Sequence, residues 1–519
     1  MRSHERRHEA SGWGQRPRDR ELEQGDKETA EHWSILRGFG EFSAFRLRFN
    51  RMDANAYAAK TWAREEFGNV DGGDRRRRDR VIKMAAVAGA APFGTVARTF
   101  QRAADRQGAY DLLESKKVPA TALLASMAIA CVERCGENKE VFVPIDGSSL
   151  TLVDRRLVKN FGAVGTYRNK ARGLKVVTAI AVDPRGTPLG ICAQKWWTRP
   201  VVRRKRGGSK YRPTDERESR FWVETIGSVH AAFVDSDVTP TCVIDREGDA
   251  TEMLHALVSR RMNFIIRSSW DRRLATTPTT YLRGTLEKQP VIGRYQVDVP
   301  HAPHRSARKA RMELRVARVT LDLAHDWRGR RENIDLFAVS AKEVAPPPGE
   351  KPLHWILLTN LPVLSAKDAK MVVTGYTFRW RIEEFHKAWK SGTCNVETMQ
   401  LRTSEAASTW ATLLAAVAIR AERLKYLARN DPEAPAGIEL TPTEIEATIL
   451  LKRRQKKRTE SVPDGEPTIA QAVLWIAELG SFAGKRGEQP GAITIARGLE
   501  KVRTAAEIIE QLRASGQIR

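Results

Sequence analysis

The chain contains no apolar run of about 18 residues, the length a helix needs to cross a membrane, so no membrane span is expected in its 519 residues. Its N-terminus, Met1-Arg2-Ser3-His4, leads into more charge and lacks the apolar centre of a signal peptide. Cysteine is scarce. Cys131, Cys135, Cys192, Cys242 and Cys394 form an odd, scattered set. This excludes a disulfide scaffold and fits a reducing, cytoplasmic setting. Cys131 and Cys135 lie four apart with no second Cys/His pair nearby, so no zinc site is expected there. A phosphate-binding GxxxxGK loop is missing as well. The Gly207-Gly208-Ser209-Lys210 tract lacks the first glycine at the required spacing, so ATP hydrolysis is not indicated. His4-Glu5-Arg6-Arg7-His8 has the spacing of a zinc-peptidase motif, but a polar leader without apolar periodicity cannot set ligand geometry.

Acid is in deficit. The chain carries 88 Lys and Arg against 63 Asp and Glu, a formal charge of +25 with a pI near 10.1. Such a field draws polyanions, nucleic acid first. The basic clusters at 75–78, 203–206 and 452–458 are spread along the chain.

Residues 1–51 are rich in Arg, Glu, His and Gly without a sustained period, and are expected to be disordered or a spurious extension, with Met52 the true start. Residues 52–118 predict short helices at 54–67, 74–90 and 103–113, either a DNA-binding domain or a plain helical cap. From about 120 the pattern is α/β. Strands ending in acids are expected at 141–146 and 240–245, and apolar β-prone runs at 174–182 and 189–197. Asp249 and Glu252 read as a capping box for a helix over 250–260, a structural role. Short alternating runs at about 270–350 predict a β-rich insertion, and 354–359 a last buried strand. Helices are expected over 366–391, 405–428, 441–451, 469–479 and 499–514. The boundaries inferred are a catalytic region over 119–430 and a helical C-terminal domain over 431–519.

The most informative stretch is Tyr376-Thr377-Phe378-Arg379-Trp380-Arg381-Ile382-Glu383-Glu384-Phe385-His386-Lys387-Ala388-Trp389-Lys390. Wound at about 100° per residue, it puts Tyr376, Arg379, Glu383, Lys387 and Lys390 on one stripe and Phe378, Ile382, Phe385 and Trp389 on the other. One carboxylate among cations and a phenol suits a metal ion beside a phosphate. Glu384, about 100° away, is the rival carboxylate, and the stripe favours Glu383. With Asp146 and Asp245 at strand ends, three acids fit one site. Hard oxygen donors favour Mg²⁺ or Mn²⁺ over zinc. Two such ions would serve an in-line displacement at phosphorus.

These residues resemble the bacterial cut-and-paste DDE transposases of the insertion-sequence type with a Tyr-x2-Arg-x3-Glu-x6-Lys signature, here Tyr376, Arg379, Glu383 and Lys390. Asp245-Arg246-Glu247-Gly248-Asp249 is similar to that family's Asp-Arg-Glu-Ala-Asp block. Asp146-Gly147-Ser148-Ser149-Leu150 is similar to its first-aspartate block, with Gly147 where Thr is usual. The paired Trp196 and Trp197, and the segment 352–359, also match. The resemblance implies an RNase H-like mixed sheet flanked by helices, with a β-rich insertion and helical terminal domains. It implies Asp146, Asp245 and Glu383 as a metal-binding catalytic triad using Mg²⁺, with Mn²⁺ substituting. The implied partners are inverted-repeat end DNA and target DNA, the reaction runs through a DNA hairpin, and the C-terminal helices serve a homodimer. Tyr376, Arg379 and Lys390, with Lys387, would hold the DNA-end phosphates, and Arg267 is a further DNA-end candidate. Trp355, with Trp380 beside it, is either a stacking partner for an unpaired base or core packing. Lys452 to Arg458 is either a DNA contact or a solvated loop, and Ile469, Val473, Trp475, Ile476 and Leu479 either dimerise or pack inward.

Overall fold

The computed structural model describes residues 62–90, 92–166, 170–201, 216–302, 305–324, 330–455, 460–462, 465–484 and 488–517. The readings of residues 1–51 and of the basic run 203–206 lie outside them. Five helices lead: α1 (Trp62–Phe67), α2 (Arg75–Ala90), α3 (Val96–Thr99), α4 (Ala103–Glu114) and α5 (Ala120–Cys135). Then come β1 (Glu140–Leu152), β2 (Gly162–Ala163), β3 (Arg172–Val182), β4 (Pro188–Trp197), α6 (Ser219–Phe233), β5 (Thr239–Ile244), α7 (Thr251–Ser259) and β6 (Asn263–Arg267). The short α8 (Leu282–Glu287) opens the region read as an insertion, followed by β7 (Gly293–Val299), β8 (Arg308–Ala324), β9 (Arg331–Val344) and β10 (His354–Thr359). The rest is helical: α9 (Ala366–Thr377), α10 (Trp380–Lys390), α11 (Ser404–Asn430), α12 (Pro442–Gln455), α13 (Ile469–Leu479) and α14 (Ala492–Ala514).

The strands form one mixed sheet in the order β2-β3-β1-β5-β6-β10-β9-β8-β7, with β4 also on β3. β1, β5 and β6 run parallel, while β3 pairs antiparallel to β1. This is the RNase H-like α/β arrangement that the resemblance implies. β7, β8 and β9 do not make a separate module. Through β10 they continue the same sheet beyond β6.

Alternation along the strands sets the two faces. Val177, Ala179 and Ala181 of β3 pack with α6 and α7, while Val176, Ile180 and Val182 join the core beneath α10 and α11. The apolar N-terminal half of α11, with Trp410, Leu413, Leu414 and Val417, is the axle of that core. Helices α1, α2 and α4 contribute Phe67, Met84 and Leu112 to the same cluster. The leading helices therefore share a core with the sheet. Among the described residues no helix is long and apolar enough to cross a membrane.

Four expectations need correction. β1 does not end at Asp146; it runs on to Leu152 against β3, and only its parallel partner β5 stops, at Ile244. The single helix over 366–391 is two, α9 and α10, joined by a tightened turn. Phe378, Arg379, Arg381 and Ile382 donate to carbonyls three residues back. The capping box at Asp249 is not formed. Ala250 is the cap residue of α7, Glu252 pairs with Arg217, and Asp249 anchors the loop after β6. Lys452 is no DNA contact but is buried between Glu460 and Glu478, and residues 456–459 lie outside the described set.

Candidate active site

Asp146 and Asp245 meet because of register. Ile145 of β1 lies opposite Ile244 of β5, so the next residue of each strand is an aspartate. Ile145 and Ile244 both pack toward α6 and α7, which turns the following side chains to the opposite face, where α10 lies on β1. Asp245 caps a 3-10 turn, accepting the Glu247 N–H at 2.7 Å. Asp146 accepts its neighbour Gly147 N–H at 2.8 Å. Gly147 has a local reason to lack a side chain, since a Cβ there would sit 3.1 Å from the Trp222 ring.

Helix α10 brings Glu383 over this edge. Gly375 permits it: a Cβ there would lie 2.3 Å from the Phe142 ring, so only glycine lets the end of α9 approach the sheet so closely. Donor atoms of Asp146, Glu383 and His386 then lie within 4.8 Å of one another. His386 went unnoticed in the sequence. Its position three residues after Glu383, on the same helix face, is the signal that would have found it. Its Nδ1 is 3.8 Å from Asp146 Oδ2, and its buried Nε2 has no hydrogen-bond partner. Burial, helped by Lys390 and Arg379, pushes its pKa down to about 3. The ring is neutral at physiological pH, the form that ligates a metal.

The carboxylates are electrostatically frustrated. Burial, then Glu383 and Asp245, push Asp146 well above the carboxylate range, and Arg379 only partly offsets this. Glu247 is raised by burial and then by Asp245. Burial alone would lower the pKa of Arg379, but Tyr376, Glu383, Asp146 and Asp245 together hold it up. Its Nη1 donates to Glu383 Oε1 at 2.9 Å. Clustered carboxylates with one neutral imidazole fit a divalent cation, which would relieve this repulsion. Asp245 acts on Asp146 electrostatically but stands outside the close donor set. Glu384, the rival, is consumed elsewhere, accepting from Lys425 at 3.1 Å and from the Tyr426 hydroxyl at 2.6 Å.

Two family models match the chain. The transposase DNA-binding model covers residues 59–118, and the transposase DDE domain covers residues 210–420. The chain belongs to the DDE transposases. It is a metal-dependent DNA transposase with its own DNA-binding segment. The DDE match contains Asp245 and Glu383 and begins after Asp146, which the sheet register brings to them.

The transposase keeps most of its expected DNA residues inside. Tyr376, Arg379, Trp355 and Trp380 are all buried, with Trp355 8% and Trp380 3% exposed. Trp355 stands edge-on to Tyr376 at 5.2 Å, and the half-buried Arg267 lies 5.9 Å from its ring. In this state both tryptophans are packed rings, and neither is an exposed stacking surface. Lys387 is exposed and Lys390 half-buried. The apolar positions Ile469, Val473, Trp475, Ile476 and Leu479 of α13 are buried within the chain, most of them against α11 and α14.

Proposed function

We propose that this transposase is of the insertion-sequence type with the Tyr-Arg-Glu-Lys signature, and that Asp146, Asp245 and Glu383 are its catalytic carboxylates. The carrying observation is the meeting of Asp146 and Glu383 donors with His386 within 4.8 Å at the sheet edge next to Asp245. These residues would hold Mg²⁺, with Mn²⁺ able to substitute, as a pair of ions. Such ions supply Lewis acidity at phosphorus and an activated oxygen nucleophile.

The chain's own groups do the rest. Arg379, pinned by Glu383, keeps positive charge beside the scissile phosphate. Lys387 and Lys390 lie on the following turns of α10, where they would meet the DNA-end backbone. Buried Tyr376 and Trp355 with half-buried Arg267 form one cluster that would line the bend of a hairpin end, with Trp380 beside Arg379. Each step exchanges one P–O bond for another. Water opens the element end to a 3′-OH, that 3′-OH attacks the opposite strand to make the hairpin, water reopens it, and the 3′-OH joins target DNA. The working form is a homodimer on paired ends, located at the nucleoid.

DNA flanking the gene supplies the substrate for the test. Purified protein with Mg²⁺ and a plasmid carrying those flanks should give nicks, then hairpins on a denaturing gel, then joined products from pre-cut ends. Nicking without joining would replace transposition by simple nuclease action.

A further inference from the structure

The stacking aromatic expected at the DNA end is buried, yet two aromatic rings stand in solvent near the same edge. Trp270 is 65% exposed and Tyr281 52% exposed, the only exposed Trp, Tyr or Phe among the described residues. Both lie in one loop pair after β6. Arg273 and Tyr281 form a β-bridge, Leu282 N–H donates to Arg272 O at 2.9 Å, and Arg283 Nη2 donates to Ser269 O at 3.3 Å.

This loop is fastened to the catalytic turn. Ile244 and Ile266 are register partners, so Asp245 and Arg267 follow side by side. Ser269 Oγ donates at 2.9 Å to the carbonyl of Arg246, the residue after Asp245. Asp249, four residues after Asp245, accepts from Ser269 N–H at 2.6 Å and Trp270 N–H at 3.3 Å, and is clamped by Arg272 in a buried ion pair. A solvent-exposed tryptophan held by this many main-chain bonds is displayed on a rigid mount. Arg246, Arg273 and Arg283 around it are exposed cations, Arg273 pairing with Asp322 and Asp271 being the acid in the loop. Aromatic faces set among arginines suit unpaired nucleic-acid bases, because every base offers a π-face and the cations follow the backbone.

We propose that Trp270 and Tyr281 form a stacking platform for unpaired DNA bases beside Asp245, holding a single-stranded segment next to the cleavage edge. This rests on the catalytic reading above. The test uses the full chain and a duplex of arbitrary sequence with a 5-iodouracil-bearing single-stranded tail, compared with the blunt duplex. Irradiation should give adducts on Trp270 or Tyr281. Trp270→Ala should weaken binding of the tailed duplex by at least about fivefold, leave the blunt duplex unchanged, and be rescued by Trp270→Phe. Unchanged affinity for the tail overturns the platform. So does a shift of Trp270→Ala from dimer to monomer in sedimentation, which makes the loop an assembly contact. Mg²⁺-dependent nicking of a supercoiled plasmid, run on the same preparation, separates the two layers. Nicking without tail discrimination sinks the platform alone, whereas no nicking in Mg²⁺ or Mn²⁺ sinks the catalytic reading beneath it.

Discussion

At the scale of single residues, the two adjacent glutamates of α10 have opposite jobs. Glu383 faces the aspartates and Arg379, whereas Glu384 satisfies buried Lys425 and Tyr426. Glu383→Gln should abolish Mg²⁺-dependent nicking while leaving DNA retention in gel shifts intact. Glu384→Gln should keep nicking per folded molecule and lose about 1–3 kcal/mol of stability in chemical denaturation. The reverse pattern would refute the assignment. Asp146 carries a pH prediction. Its folded pKa lies above that of the unfolded chain, because burial, Glu383 and Asp245 disfavour its charge. The unfolded state therefore gives up the proton first, and the metal-free protein loses stability as pH rises from about 4 through the raised folded value. Asp146→Asn removes that penalty. At neutral pH without metal its Tm should exceed wild type by about 1–4 °C, and added Mn²⁺ should stabilise wild type but not the variant. An Asp146→Asn protein that melts below wild type without metal would contradict this. Glu383 was legible because charge type and helical angle both singled it out. His386 was legible only through its place three residues after Glu383, since a histidine between Phe385 and Trp389 otherwise reads as core.

At the scale of elements, the site depends on how closely α9 and α10 approach the sheet. Gly375 sets that distance against Phe142 and Ile265. Gly375→Ala should cost about 1–3 kcal/mol by overpacking and lower nicking further than the stability loss accounts for, because Glu383 and His386 move with α10. Normal turnover in that variant would show that the spacing is not critical. The mount under Trp270 is another element-scale device. Asp249→Ala leaves Arg272 buried and unpaired and should cost about 3–5 kcal/mol, measured by urea unfolding. Strand and helix positions were largely readable from periodicity, as the agreement at α13 shows. The break between α9 and α10 was not, because nothing at Phe378–Arg379 is a helix breaker; contact with the sheet imposes the tighter turn. Equally, β1 read as ending at Asp146 because an acid after an apolar run is the usual end of a strand, whereas here the partner strand ends instead.

At the scale of the molecule, charge and core tell different stories. The +25 charge makes DNA binding strongly salt-dependent. Between about 50 and 200 mM salt the affinity should fall by about 10³-fold or more if six or more phosphates are contacted. A near-flat salt profile would remove the electrostatic reading. The core is shared, with Phe67, Met84 and Leu112 from the leading helices packed into the cluster around Trp410 and Trp389. That continuity of packing was not legible in sequence, where residues 52–118 read as either a DNA-binding domain or a plain helical cap. The sheet's breadth was also hidden, since alternating strands at 293–344 do not reveal which edge they join.

Under the proposed function, Asp146, Asp245 and Glu383, distant in sequence, share divalent cations. Mn²⁺ titration followed by electron paramagnetic resonance tests it most directly, on wild type and on Asp146→Asn, Asp245→Asn and Glu383→Gln. Wild type should bind saturably and each variant at least about tenfold more weakly, the lower end of what even supporting residues of metal sites cost. Undiminished Mn²⁺ affinity in any one of the three would contradict it.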